Sequence, residues 1–341
     1  MACLLPLRSR LFWLERKRSA GSSIHGNTGS GKRWLSLASM TDQMLLAVAN
    51  VAEASMKYGG PVYIAIGFGL ILMVAYAYLY IVFPSLNPDL FSRALHFGLG
   101  AVLFCNILFN YCMCIFTKPG TTALLNEGYH LAAGRDSCRF CKHCRRAKPP
   151  LAHHCSVCNT CVLRMDHHCP WMNNCIGFFN YRYFILFVLY LFVGSGYAAI
   201  TAWRCLADAH SIVHPFLVLV SSFAISTSAC FSVGLLSCWH VYLALTAQST
   251  IDFLKNWGSA REVKQQGKTW HNPYNLGPVA NWQEVFDVHG RFWWILWLVP
   301  KLQMKKGTGV ASPVKLGSQG IVQLHDEQTL NARELAMHQM L

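Results

Sequence analysis

A run of cysteines and histidines in the middle of this chain carries its chemistry. Between Cys138 and Cys175 lie eight of the fifteen cysteines and five of the fifteen histidines. They fall as Cys141-x2-Cys144, then His153-His154-Cys155-x2-Cys158-x2-Cys161, then Asp166-His167-His168-Cys169, then Cys175. Thiolates and imidazoles at such short offsets close tetrahedral shells around zinc. With Cys138 and Cys169 set aside, six cysteines remain, and with two of the histidines they make eight ligands, enough for two four-coordinate sites. Closed sites have no open position for chemistry and are structural. Spacing does not separate His153 from His154 as a ligand. The thiol left over is Cys169, two residues after His167.

Pro170 biases Cys169 toward an extended backbone. In an extended chain, residues two apart point the same way. His167 and Cys169 are therefore expected to face each other, with Asp166 placed to orient His167. A free thiol titrates near about 8.5, and an adjacent imidazole makes thiolate available at neutral pH. Asp166 would hold the tautomer and stabilise the imidazolium. A redundant ninth ligand is the bland reading of Cys169, and eight ligands already suffice.

Elements that could position this segment stand on both sides of it. The 341 residues are 53% hydrophobic and 13% charged, against about 25% charged in a soluble domain. Four spans are predicted. Residues 61–83 and 183–203 carry no charge, 94–117 has only His96 ionisable, and 215–251 has only His240 before Asp252 ends the run. Each can cross about 30 Å of hydrocarbon. The fold class expected is α-helical integral membrane, with four transmembrane helices and a cytosolic cysteine-rich loop folded around two zinc ions.

The net charge of +14 flanks the apolar blocks. That is juxtamembrane placement, and it excludes a nucleic-acid partner. Residues 1–60, 117–180 and 246–341 hold eight, eight and ten lysines and arginines, while the short loops 84–93 and 204–214 hold one each. Positive residues mark the cytosolic side. Both termini and the cysteine-rich loop are therefore expected in the cytosol, where metal-binding thiols stay reduced. Cysteines 105, 112, 114, 205, 230 and 238 lie in or beside the spans and read as small buried hydrophobes.

The expected divisions are 1–60, a cytosolic N-terminal tail with an interfacial helix; 61–117, two spans; 118–180, the zinc-binding domain; 181–245, two more spans; and 246–341, a cytosolic C-terminal region. Residues 1–40 are basic, with Glu15 as their one acid. A transit peptide is one reading, and a cytosolic tail fits as well without cleavage. Gly26-Asn27-Thr28-Gly29-Ser30-Gly31-Lys32 imitates a phosphate-binding loop, but Arg33 replaces the magnesium-binding hydroxyl and no apolar strand precedes it. Apolar residues at 44, 45, 48, 51, 52 and 56 have helical spacing. The segment 292–299, with three tryptophans, is too short to span and suits the interface.

The run from Cys141 through Asp166-His167-His168-Cys169-Pro170-Trp171 to Cys175-Ile176-Gly177-x2-Asn180 resembles the cysteine-rich domain of the DHHC protein S-acyltransferases. The likeness is dense over about 40 residues and looser from about Pro61 to Pro300. It implies protein-cysteine S-palmitoylation in two steps, through an acyl-thioester on Cys169. Acyl-CoA is then the co-substrate, two structural zinc ions the cofactors, and membrane-associated proteins with cytosolic cysteines the clients. Asp166, His167 and Cys169 would be catalytic. Cys141, Cys144, His154 and Cys161 would hold one zinc, and Cys155, Cys158, His168 and Cys175 the other. Membranes of the endoplasmic reticulum or Golgi are implied.

Several positions depart from the family pattern. Ser249-Thr250-Ile251-Asp252 stands for Thr-Thr-x-Glu, Thr117-Lys118-Pro119-Gly120 for Asp-Pro-Gly, and Leu151 for an arginine. Cys138 adds a further Cys-x2-Cys step. Asn272-Pro273-Tyr274-Asn275-Leu276-Gly277 with Asn281-Trp282 resembles the family's aromatic-rich C-terminal motif. By resemblance, Trp171, Phe184 and Phe187 would line an acyl-chain pocket. Gly194, thirteen residues beyond Tyr181 and about 20 Å along a helix, would form its floor; close helix packing is the plainer use of such a residue. The competing reading is a catalytically inactive zinc-finger scaffold, supported by the altered Ser249–Asp252 motif. A zinc hydrolase is opposed by the lack of an open three-ligand site.

Overall fold

The structure, a computed structural model, describes residues 43–45, 47–48, 50–86, 89–125, 139–207, 216–302, 305–310, 314–315 and 321–322. The Gly26–Lys32 run, Cys138 and most of the C-terminal tail lie outside them. The chain divides into two units, Met1–Pro61 and Val62–Leu341. In the first, residues 43–45, 47–48 and 50–58 are helical, and Met44, Val48 and Val51 are exposed.

Four helices are long and apolar enough to cross a membrane: α1 (Gly60–Ser85), α2 (Leu90–Phe116), α3 (Tyr181–Ala207) and α4 (Phe216–Leu245). The chain is a multi-pass membrane protein on this count. Within α1, Tyr78–Val82 widen into a π-turn. Asp89 caps α2 by accepting from the backbone N–H groups of Phe91 and Ser92, which satisfies two orphan donors. The third helix packs most extensively on α4, then on α2, and its buried face runs continuously from Arg182 to Val188. Leu70, Leu95, Val102, Phe231 and Leu235 point outward, as lipid-facing residues do. Cys114 and Cys205 are buried, whereas Cys105 and Cys238 lie on the outer surface and not in the protein core as expected.

Between α2 and α3 the chain forms three short antiparallel hairpins. They are β1–β2 (Arg139–Cys141, Arg146–Lys148), β3–β4 (His153–Cys155, Thr160–Val162) and β5–β6 (His167–Cys169, Asn174–Ile176). Each hairpin turns through a residue of positive φ, Arg145, Asn159 and Asn173 respectively. In the first two turns the cysteine spacing explains the shape. The N–H of Cys144 points at Cys141 Sγ at 3.5 Å, and that of Cys158 at Cys155 Sγ at 3.4 Å. Register then sets His154 opposite Cys161 and His168 opposite Cys175.

The hairpins are fastened to the bundle by side-chain amides. Asn174 Nδ2 donates to the carbonyls of Cys114 and Thr117 at 3.0 and 2.9 Å, filling the unsatisfied end of α2. Asn180 Oδ1 accepts from Gly177 N–H at 2.9 Å while its Nδ2 donates to Cys175 O at 2.8 Å. Gly120 has φ +89°, and a Cβ there would lie 2.8 Å from Phe179 Cδ2. A side chain is therefore excluded twice at Gly120, by conformation and by space.

The uncharged run continues to 251, but α4 stops at Leu245, where the sequence divisions end the fourth span. Ala247 turns the chain at φ +52°, and Ser249 caps a new helix, α5 (Thr250–Gln265). The end of α4 is held by Asn281 Nδ2, which donates to Leu245 O at 2.7 Å, and by Asn272 Nδ2, which donates to Thr246 O at 2.9 Å. Asn281 belongs to α6 (Pro278–Phe286), whose Trp282 and Phe286 pack with Ile185 and Leu186 of α3. The short α7 (Trp293–Leu296) is followed by Trp297, whose ring meets Trp282 edge-on at 5.0 Å.

Candidate active site and metal centres

Two clusters have the composition and spacing of closed zinc sites: Cys141, Cys144, His154 and Cys161, and Cys155, Cys158, His168 and Cys175. In each, all ligand atoms lie within 4.8 Å of one another. A tetrahedral ion with sulfurs at about 2.3 Å has sulfur–sulfur edges of about 3.8 Å. The observed separations meet that test: 3.6 Å for Cys161–Cys144 and 3.5 Å for Cys158–Cys175. His154 turns Nδ1 toward the Cys144 and Cys161 sulfurs at 3.3 and 3.9 Å. His168 Nδ1 faces Cys155, Cys158 and Cys175 at 3.8, 3.3 and 3.6 Å. Two zinc ions fit these donors. The sites interleave along the chain, so each ion ties two hairpins together.

His153 points elsewhere. It faces α5, with Lys255 Nζ at 3.1 Å from Nε2 and Asp252 Oδ1 at 3.8 Å. Alternation along β3 sends neighbouring side chains to opposite faces, which separates the two histidines that spacing could not.

Asp166, His167 and Cys169 come together at the start of the third hairpin. Asp166 Oδ2 accepts from His167 Nδ1 at 2.7 Å. Its Oδ1 accepts from Thr250 N–H at 2.7 Å, and Thr250 Oγ1 donates to Oδ2 at 3.1 Å. Asp166 is 1% exposed. Burial alone would raise its pKa, but the His167 bond and charge, with Thr250, outweigh burial and hold the carboxyl below its usual value. Burial likewise opposes charge on His167, yet the Asp166 bond and the Cys169 sulfur bring it up to about 10. At neutral pH the pair is thus carboxylate and imidazolium, with Cys169 on the other side of the ring.

The surroundings of Cys169 are apolar. It is buried in one cluster with Ile107, Tyr111, Met172, Phe184 and Phe187. Phe184 meets the His167 ring edge-on at 5.1 Å, and Phe187 stacks on Tyr111 at 4.9 Å. Tyr111 Oη donates to Trp171 O at 2.9 Å. The Trp171 ring itself is 45% exposed, edge-on to Tyr63 at 5.6 Å. Gly194 lies farther along α3, where a Cβ would come within 2.8 Å of Ile107 Cδ1.

One residue at this centre escaped the sequence reading. His240 of α4 gathers with Asp166 and His167, one ligating atom of each within 4.8 Å of the others. The sequence marks it only as the single ionisable residue of an apolar span.

The family model for the DHHC palmitoyltransferase matches residues 135–257. Palmitoyltransferase ZDHHC16 of Mus musculus is 31% identical over 222 residues, covering 60% of this chain and 60% of the relative. Palmitoyltransferase PFA3 of Debaryomyces hansenii is 34% identical over 188 residues, 50% of this chain and 45% of the relative. A probable protein S-acyltransferase 16 of Arabidopsis thaliana is 29% identical over 189 residues, 51% and 66% respectively. The chain thus spans about 60% of the length of the ZDHHC16 relative it matches.

Proposed function

We propose, from the premise that the chain belongs to the DHHC palmitoyltransferase family, that it is a protein-cysteine S-acyltransferase with Cys169 as nucleophile. The observation that carries this reading is the 2.7 Å bond between Asp166 and His167, two residues from a buried thiol in an apolar cluster. Cys169 Sγ attacks the thioester carbonyl of a long-chain acyl-CoA. The new carbon–sulfur bond forms on Cys169, the bond to coenzyme A breaks, and the His167 imidazolium gives its proton to the departing thiolate. In the second half, His167 takes the proton of a client cysteine, which attacks the acyl-enzyme and frees Cys169. Asp166 keeps the ring oriented and balances its charge throughout. Phe184, Phe187 and Trp171 line the path of the acyl chain, and Gly194 its far end.

Zinc supplies folding energy and no step of the transfer. The eight ligands are Cys141, Cys144, His154 and Cys161 for one ion, and Cys155, Cys158, His168 and Cys175 for the other. The five divisions expected from the sequence place the cysteine-rich domain, both termini and α5 on the cytosolic side. Membranes of the endoplasmic reticulum or Golgi are the expected location, and membrane-associated proteins with cytosolic cysteines the clients.

The second reading, an inactive scaffold, rests on Ser249 and Asp252 in place of the family's residues. The complete capping box that these two residues form, with Thr250 bonded to Asp166, supports the active reading instead. Incubation of the purified chain with a clickable palmitoyl-CoA decides between them. Label on Cys169 that hydroxylamine removes is expected; a zinc-loaded, unlabelled protein means the scaffold.

A further inference from the structure

His240 is buried at 2% exposure inside the bundle, where an imidazole without polar partners is costly. Its Nδ1 lies 3.3 Å from Tyr181 Oη. Its ring meets Phe184 edge-on at 4.8 Å, and the same Phe184 packs edge-on against His167. The His167 and His240 ring centres are 6.0 Å apart. One aromatic side chain thus packs edge-on against two neighbouring imidazoles, and each imidazole has a ring nitrogen within 4.8 Å of an Asp166 carboxylate oxygen. With Nδ1 engaged by Tyr181, Nε2 is the nitrogen left for that pair. A cation bound by Asp166, His167 and His240 is disfavoured, because it would displace the 2.7 Å bond between Asp166 and His167.

We propose that His240 is a positioning residue for the transfer, holding the Asp166–His167 pair from the membrane side as Thr250 holds it from the cytosolic side. The pair is then clamped between α4 and α5, which are consecutive helices joined by one tight turn. Movement of that turn would shift both contacts at once. This inference rests on the acyltransferase reading above.

The test measures acyl-enzyme formation with clickable palmitoyl-CoA in full-length variants whose zinc content is two per chain. His240→Leu should slow the step by about 10–100-fold, the range for outer-shell partners of an active centre. His240→Gln restores a donor near the Nε2 position and should recover most of the rate. His240→Asn can replace only the Nδ1 contact with Tyr181 and should not. A wild-type rate in His240→Leu, or equal recovery by Asn and Gln, overturns the proposal. So does zinc loss in all three variants, which would make His240 a structural residue only. Wild-type protein that takes no label at all defeats the acyltransferase reading instead, and the two failures are told apart in one experiment.

Discussion

Thr250 N–H donates to Asp166 Oδ1 at 2.7 Å across 84 positions of sequence. The contact joins the first turn of α5 to the acid that orients His167. The departures at Ser249 and Asp252 leave this contact and the helix cap in place. Asp252 Oδ2 accepts from Ser249 Oγ at 2.7 Å, and Ser249 Oγ accepts from Asp252 N–H at 3.1 Å. A shorter acid still closes the capping box. Thr250→Val keeps the backbone donor and removes the Oγ1 contact, a hydrogen bond to a charged group worth about 1.5–3 kcal/mol. Autoacylation should fall by about tenfold or more. Asp252→Glu should change little, because either carboxylate can cap. Activity that appears only in Asp252→Glu would mark the natural residue as disabling.

Cys169→Ser should abolish acyl-enzyme formation while zinc stays near two per chain. Cys169 lies outside both four-ligand clusters, so its loss leaves the metal shells intact. Zinc analysis beside the labelling assay checks this. Loss of metal together with label would make Cys169 a ligand.

His167→Ala should keep the fold and slow autoacylation by about 10²–10⁴-fold, the usual contribution of a general acid or base. The raised pKa of His167, about 10, gives the expected sign of its pH dependence. Charge pairing with Asp166 stabilises the folded domain fully below the unfolded histidine value, near about 6.5. That contribution fades as pH rises through about 10. Protease resistance of the wild-type loop should therefore fall more between about pH 7 and 10 than in His167→Ala. Parallel losses in the two proteins would remove the ion pair from the argument.

Local chemistry was legible in the sequence, and chemistry assembled from distant segments was not. Each four-residue cluster uses a short-spaced cysteine pair and partners from a neighbouring hairpin, so the resemblance grouped the eight as the fold brings them together. The four spans were legible because hydrocarbon demands uninterrupted apolar runs, but the turn that follows α4 was not. Apolar composition continues past Leu245 to Ile251, while the turn depends on Ala247 conformation and the Ser249 cap, which hydropathy does not register. His240 and Thr250 reach Asp166 only through tertiary packing. No spacing rule links a histidine in a membrane helix to a loop carboxylate in an earlier segment.

Cys155→Ala and His168→Ala should destabilise the cysteine-rich domain rather than merely slow it. Both residues serve the second cluster, and Cys155 also packs with Val162, Met165 and Cys175. Metal binding supplies folding energy in such a domain. Limited proteolysis within residues 139–180, read beside zinc stoichiometry, measures the effect. Two bound ions with wild-type resistance would contradict the ligand assignment.

Cys169 shares its buried cluster with Ile107 of α2, and the tip of Ile107 lies 2.8 Å from where a Gly194 Cβ would stand. The glycine is therefore a close approach between α2 and α3, joined through Ile107 to the surroundings of Cys169. If the acyl chain runs between these helices, Gly194 leaves its far end open, and stearoyl-CoA should serve nearly as well as palmitoyl-CoA. Gly194→Ala needs only the flexible end of Ile107 to move, so it should fold and shift preference slightly toward shorter chains. Gly194→Tyr projects a ring into the same space and should shift preference strongly, with the Cys169 label still removable by hydroxylamine. Competition between fourteen-, sixteen- and eighteen-carbon acyl-CoAs reads the change directly. Unaltered selectivity in a zinc-loaded Gly194→Tyr protein would leave the glycine with close helix packing as its whole role.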